Sequence, residues 1–124
     1  AEHHCLLLTR AGRVFAWGAN SCGQCGHGDR VDWFVPRSVA ALHRVRVRSV
    51  ACGFEHSMAC GDDGALYTWG RGDGGRLGHG NNKWRARPCA VGWFKERAER
   101  VVRVAAGGHH SAAVTAARHV YAFG

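Results

Sequence analysis

At 124 residues the chain has the length of one domain, and 46% hydrophobic with 21% charged residues excludes a disordered tail. No apolar run approaches the ~20 residues of a membrane helix, and Cys5-Leu6-Leu7-Leu8 is broken by Thr9-Arg10 before it makes a signal-peptide core. The net charge of +8, almost all from arginine, favours acidic partners such as nucleic acid, an anionic membrane face or an acidic protein; the plainer reading is arginines facing solvent.

In chain order, Cys5–Thr9 and Arg13–Gly18 read as two short strands joined by a turn at Gly12. A loop containing Gly23, Gly26 and Gly28 leads to an extended segment, Pro36–Val39, and then to a strand over Val45–Cys52. The same order returns as Ser57–Cys60, a turn ending at Gly64, Ala65–Gly70, a loop with Gly75, Gly78 and Gly80, the segment Pro88–Val91 and the strand Val101–Ala106. Lys95–Arg100 is long enough for one helical turn. A third hairpin, Ser111–Thr115 with His119–Phe123, ends the sequence, and Arg118 in place of its turn glycine predicts a different turn geometry.

The recurrence is a true internal repeat. An offset of 52 aligns His4 with His56, Gly12 with Gly64, Trp17-Gly18 with Trp69-Gly70, Gly26-His27-Gly28 with Gly78-His79-Gly80, and Pro36 with Pro88. After a two-residue insertion the match resumes at an offset of 54, joining Gly53 to Gly107, His56 to His110, Ser57 to Ser111 and Gly70 to Gly124. Four short strands per period make a propeller blade. The expected fold is all-β, with antiparallel four-stranded sheets, repeats at 1–49, 50–103 and 104–124, and about two to two and a half blades in all.

Val104-Ala105-Ala106-Gly107-Gly108-His109-His110-Ser111-Ala112-Ala113-Val114 resembles the signature of the regulator-of-chromosome-condensation repeats, and Val50–Cys60 follows it with Cys60 at an aliphatic position. Gly23-Gln24-Cys25-Gly26-His27-Gly28 and Gly75-Arg76-Leu77-Gly78-His79-Gly80 resemble the family's Gly-Gln-Leu-Gly-x-Gly loop. Trp17-Gly18 and Trp69-Gly70 match its strand-ending Trp-Gly, with Phe123-Gly124 as a variant. The resemblance implies a propeller of about seven blades, so this chain is expected to be part of a larger propeller, or to assemble with other copies. It implies three roles: partner recruitment within a larger protein such as a ubiquitin ligase or ciliary protein, guanine-nucleotide exchange on a Ran-like small GTPase, and chromatin association through basic loops. The exchange factor's wedge and contact residues have no counterpart that can be located here.

The repeat assigns Gly53, His56, Ser57, Gly107, His110, Ser111, Trp17, Gly18, Trp69, Gly70 and the loop glycines 23, 26, 28, 75, 78 and 80 to architecture, because catalytic groups need not recur at a blade pitch. A ring nitrogen of His56 and His110 is expected to bond backbone of the adjoining strand, and the indoles of Trp17 and Trp69 to pack between blades and find an acceptor. Cys22-Gly23-Gln24-Cys25 has redox-motif spacing, and with His27 it offers three zinc donors, but no βαβ context or second ligand pair accompanies it. Six cysteines would allow three disulfides in a secreted protein; their non-recurring positions favour lone thiols in a reducing, intracellular setting. Gly70-x-Gly72-x-Gly74-Gly75 opens no helix and lacks the Gly-Lys-Ser/Thr ending of a phosphate loop.

Arg44, Arg46 and Arg48 alternate with Val45 and Val47, so one strand face would carry all three as a candidate partner contact for phosphate or an acidic protein. Trp33 and Trp84 fall in loops, either as exposed contacts or tucked onto a neighbouring blade. The family's plant UV-B photoreceptor carries a Gly-Trp-Arg-His-Thr motif, for which Gly92-Trp93-Phe94-Lys95 is a poor substitute. With no nucleophile–base pair, paired carboxylates or credible metal set, the expectation is a non-enzymatic protein-interaction platform without cofactor or metal.

Overall fold

A computed structural model describes residues 3–124; residues 1 and 2, which begin the first repeat, lie outside the described residues. The elements are β1 (His4–Leu8), β2 (Val14–Gly18), β3 (Trp33–Ser38), β4 (Val47–Cys52), β5 (His56–Gly61), β6 (Leu66–Gly70), β7 (Arg85–Ala90), α1 (Gly92–Glu96), β8 (Val101–Ala106), β9 (Ser111–Thr115) and β10 (Val120–Phe123). They form three antiparallel sheets in chain order: β1-β2-β3, β4-β5-β6-β7 and β8-β9-β10. The middle sheet is a complete four-stranded blade. The repeat boundaries at 49/50 and 103/104 fall inside β4 and β8, so the sequence period and the sheets are out of phase.

The blades bury their faces against one another. Val14, Ala16, Val39, Leu42, Val47, Ala59 and Trp69 form the core between the first and second blades. Met58, Leu66, Val91, Phe94, Val101, Val104 and Ala113 form the core between the second and third. β5, central in the middle blade, is buried along its whole length. It can be buried on both sides because its side chains are small or apolar, apart from His56 and Ser57: the Ser57 hydroxyl and His56 Nε2 find partners across the seams, while His56 Nδ1 finds none among the described residues.

Two expectations about local structure are corrected. The helical turn lies at Gly92–Glu96, not Lys95–Arg100, because Phe94 is drawn under the second blade as the counterpart of Leu42 in the 3₁₀ turn Ala40–Leu42. The third hairpin keeps the geometry of the others: Arg118 takes a left-handed φ of 67°, beside 82° at both Gly12 and Gly64. In all three turns this residue's N–H donates to the carbonyl three residues back (Thr9, Gly61 or Thr115), and the following residue's carbonyl accepts from that same residue.

Candidate interaction surface

Each seam between blades is fastened by the same polar device. His4 of the first blade meets Ser57 of the second, Nε2 to Oγ 2.7 Å, and the Ser57 hydroxyl donates to the Gln24 carbonyl at 2.6 Å. One blade on, His56 meets Ser111 at 3.0 Å and the Ser111 hydroxyl donates to the Arg76 carbonyl at 2.6 Å. With its proton given to the carbonyl, each hydroxyl accepts from the ring, which therefore carries its proton on Nε2. The geometric partner of each ring is thus a serine side chain of the next blade, and the backbone of His56 and of His110 lies against the rings of His4 and His56 respectively. His110 is the third copy and stands exposed. Burial lowers the pKa of both His4 and His56 to about 4, and the Arg76 charge adds to the shift at His56.

The glycine-rich loop of the first blade packs against the last two strands of the second, β6 and β7. Trp69 is fully buried and its indole N–H donates to the same Gln24 carbonyl at 2.8 Å. Gly26 has a φ of 80°, and a Cβ there would lie 2.8 Å from Trp69 Nε1. Gly78 stands likewise against the Phe123 ring, which has no N–H to offer Arg76. Trp17 is only half-buried. Gly18 and Gly70 end their strands at φ 102° and 100° with backbone packed where a side chain would go, and Gly53 and Gly107 leave room for the rings of His56 and His110. Gly23 and Gly28 pack against Ala86 and Arg87 of β7, whereas Gly75 and Gly80 face open space.

The cysteine motif belongs to this loop. Cys22 and Cys25 are buried, and burial pushes both thiols up, Cys25 to about 12, the opposite of an activated thiolate. The Cys22 thiol points to Glu55 Oε2 at 3.4 Å and that of Cys25 to the Ala19 carbonyl at 3.5 Å. His27 Nε2 lies 3.1 Å from the Ala16 carbonyl. All six cysteines are free.

The two ends of the blades differ in charge. At the end formed by the β2–β3 and β6–β7 loops, Arg30, Arg71, Arg76 and Lys83 face Asp29, Asp32, Glu55 and Asp73. Arg71 pairs with Glu55 at 2.9 Å and with Asp73 at 2.8 Å, while the Trp84 indole donates to Asp73 at 2.8 Å and Arg30 lies over its ring. Phe54, well exposed, meets His109 edge-on at this end. The opposite end carries the hairpin turns, with Arg10, Arg13, Arg44, Arg46, Arg48, Arg100 and Arg118 against Asp62, Asp63 and Glu99. Backbone hydrogen bonds Val47 to Gly12, Asp62 to Arg46, Val101 to Gly64 and Ala116 to Arg100 hold this end together.

The arginine run does not form one strand face. β4 begins at Val47, so Arg44 lies in a turn and Arg46 just ahead of the strand, and a register shift between Val47 and Ser49 sets Arg48 at a bulge. All three are exposed, and Arg46 pairs with Asp62 at 3.4 Å. The residue that joins Arg46 and Arg48 is Arg10, from the β1–β2 turn, which the run along the chain could not reveal; its alignment with Asp62 was the available signal. Trp33 opens β3 half-buried, under Arg37 at 4.5 Å, and Trp84 directly precedes β7.

Comparison with known proteins agrees with this arrangement. The regulator of chromosome condensation (RCC1) repeat matches residues 11–60 and 63–114, and a second model of that repeat matches 47–76. The chain is 43% identical over 104 residues to human E3 ubiquitin-protein ligase HERC2, covering 84% of the chain and 2% of the ligase. To the Arabidopsis thaliana ultraviolet-B receptor UVR8 it is 38% identical over 123 residues, 99% of the chain and 28% of the receptor. Among solved structures, Prp20p of Saccharomyces cerevisiae, which has binding properties to Gsp1p and histones, superposes with a TM-score of 0.81 at 31% identity, over 98% of this chain and 31% of its own. The chain thus spans less than a third of each of these proteins.

Proposed function

The chain belongs to the regulator of chromosome condensation (RCC1) repeat family, and we propose that it serves as a non-enzymatic protein-interaction platform within a propeller. One observation carries this reading: the recurring polar groups that would otherwise be suspected of chemistry are largely spent on fastening the blades. The exposed ends and loops also differ from blade to blade, and these are where a rigid scaffold presents binding residues.

Exchange of guanine nucleotide on a Ran-like small GTPase is the second reading, supported by the likeness to Prp20p. Both are tested by binding the chain to Gsp1p and to histones, while following release of a labelled guanine nucleotide. Saturable binding that is lost when the loops 19–32 and 71–84 are exchanged, without faster release, supports the platform. Accelerated release supports exchange. Binding unaffected by any surface substitution in these blades overturns both.

A further inference from the structure

Arg10, Arg46 and Arg48 converge on one cleft of about 470 Å³ at the turn-bearing end of the first seam, with Thr9 and Asp62 beside them. Two blades supply it, Arg10 from the β1–β2 turn, Arg46 from just ahead of β4 and Arg48 from the bulge at the start of β4. We propose that this cleft binds the phosphate of a phosphorylated serine or threonine on a protein partner. The proposal rests on the platform reading and adds the chemistry of the partner.

The internal repeat supplies a control. At the corresponding place in the second seam the positions of Arg10, Arg46, Arg48 and Asp62 are held by Asp62, Arg100, Val102 and Ala116. Backbone bonding is the same in both seams, Val47 to Gly12 and Val101 to Gly64, so the blades do not need three guanidinium groups there. The trio departs from the repeat and leaves three cations around one carboxylate. Asp62 engages Arg46 at 3.4 Å with both side chains more than half exposed, a weak pairing that a phosphate dianion would displace. Arginine is suited to this task because its planar donors match phosphate oxygens two at a time.

A nucleic-acid backbone fits less well. Asp62 and Asp63 in the second hairpin turn interrupt the basic row between the first and third blades. The exposed aromatic residues that could stack on bases lie elsewhere, Phe34 at the start of β3, Phe54 and Trp84 at the opposite end and Trp93 on α1. The cations close around a single cleft, which suits one phosphate rather than a line of them.

The test is an amide NMR titration of the full chain with the peptide acetyl-Gly-Gly-phosphoserine-Gly-Gly-amide and with its unphosphorylated twin. The phosphopeptide alone is expected to move the amides of Thr9, Arg10, Val47, Arg48 and Asp62. Arg48→Ala should weaken it about tenfold, the loss of one charge-assisted contact, and Asp62→Asn should tighten it. The substituted side chains Arg10, Arg48 and Asp62 are exposed, so an unchanged spectrum without peptide verifies the fold. Equal response to both peptides, indifference to Arg48→Ala and Arg10→Ala, or a DNA duplex that binds across Arg100 and Arg118 and is not displaced by the phosphopeptide would each overturn the proposal. Failure here with Gsp1p or histone binding intact would leave the platform standing.

Discussion

Replacing Ser57 and Ser111 separately by alanine distinguishes two seams that share the same fastening. Ser57→Ala strands the Nε2–H of buried His4, while the Gln24 carbonyl keeps the Trp69 indole at 2.8 Å. One orphaned buried group costs about 1–3 kcal/mol. Ser111→Ala strands two groups, the His56 Nε2–H and the Arg76 carbonyl, because Phe123 has no N–H to replace the hydroxyl. The second substitution should therefore cost about 1–3 kcal/mol more than the first. Urea unfolding followed by tryptophan fluorescence measures both, and for a domain of this size each kcal/mol corresponds to a Tm shift of roughly 3–6 °C. Phe123→Trp in the Ser111→Ala background should recover part of the difference by directing an indole N–H at Arg76. Equal losses at the two serines, or a larger one at Ser57, would refute the assignment of the carbonyl as the shared acceptor.

Acid should loosen the fold through the same seams. His4 and His56 have pKa values of about 4 in the fold against an ordinary 6.5, so between these values the unfolded chain takes up protons that the folded chain refuses. Their stabilising contribution is complete above pH 6.5 and falls away toward pH 4; a urea midpoint constant from pH 7 to pH 4.5 would contradict it. Arg118→Gly should stabilise the chain by about 1 kcal/mol, since glycine takes the left-handed turn position without the strain a side chain brings there. Thermal unfolding of that variant decides it, and a lowered Tm would show that the arginine side chain holds the turn by contacts of its own.

The hairpins, the proline-marked segments and the glycine loops were legible in the sequence because each is fixed by local chemistry that recurs: strand alternation, a residue with positive φ, a closely packed backbone. The missing βαβ context likewise separates Cys22-x-x-Cys25 from redox chemistry, in agreement with the burial of both thiols. What the sequence could not show were pairings across the seams. Ser57 and Ser111 recur at the blade pitch and read as architectural, but the sequence does not show that each joins a histidine some fifty positions earlier to a carbonyl thirty-odd positions earlier. Arg118 was read wrongly because propensity at a single turn position was overruled by the packing of the hairpin around it. Arg44, Arg46 and Arg48 were read as a strand row because alternation cannot tell where a strand begins or where a bulge resets it.

The acceptor of each fastening is a main-chain oxygen, supplied once by a glutamine and once by an arginine. The joint itself does not draw on the side chain at that position, which is bonded instead within its own loop, Gln24 Oε1 accepting from the Cys22 N–H and Arg76 Nε donating to the Asp73 carbonyl. The joint also has a polarity: ring and carbonyl always come from the blade earlier in the chain, hydroxyl from the later one. Such a head-to-tail contact is heterologous, and its rotation must either close into a ring or continue as a spiral. Two like faces cannot mate, since a histidine would meet a histidine with no hydroxyl between them. A blade transplanted into another position should therefore be accepted in one orientation and refused in the other, whatever its exposed loops carry.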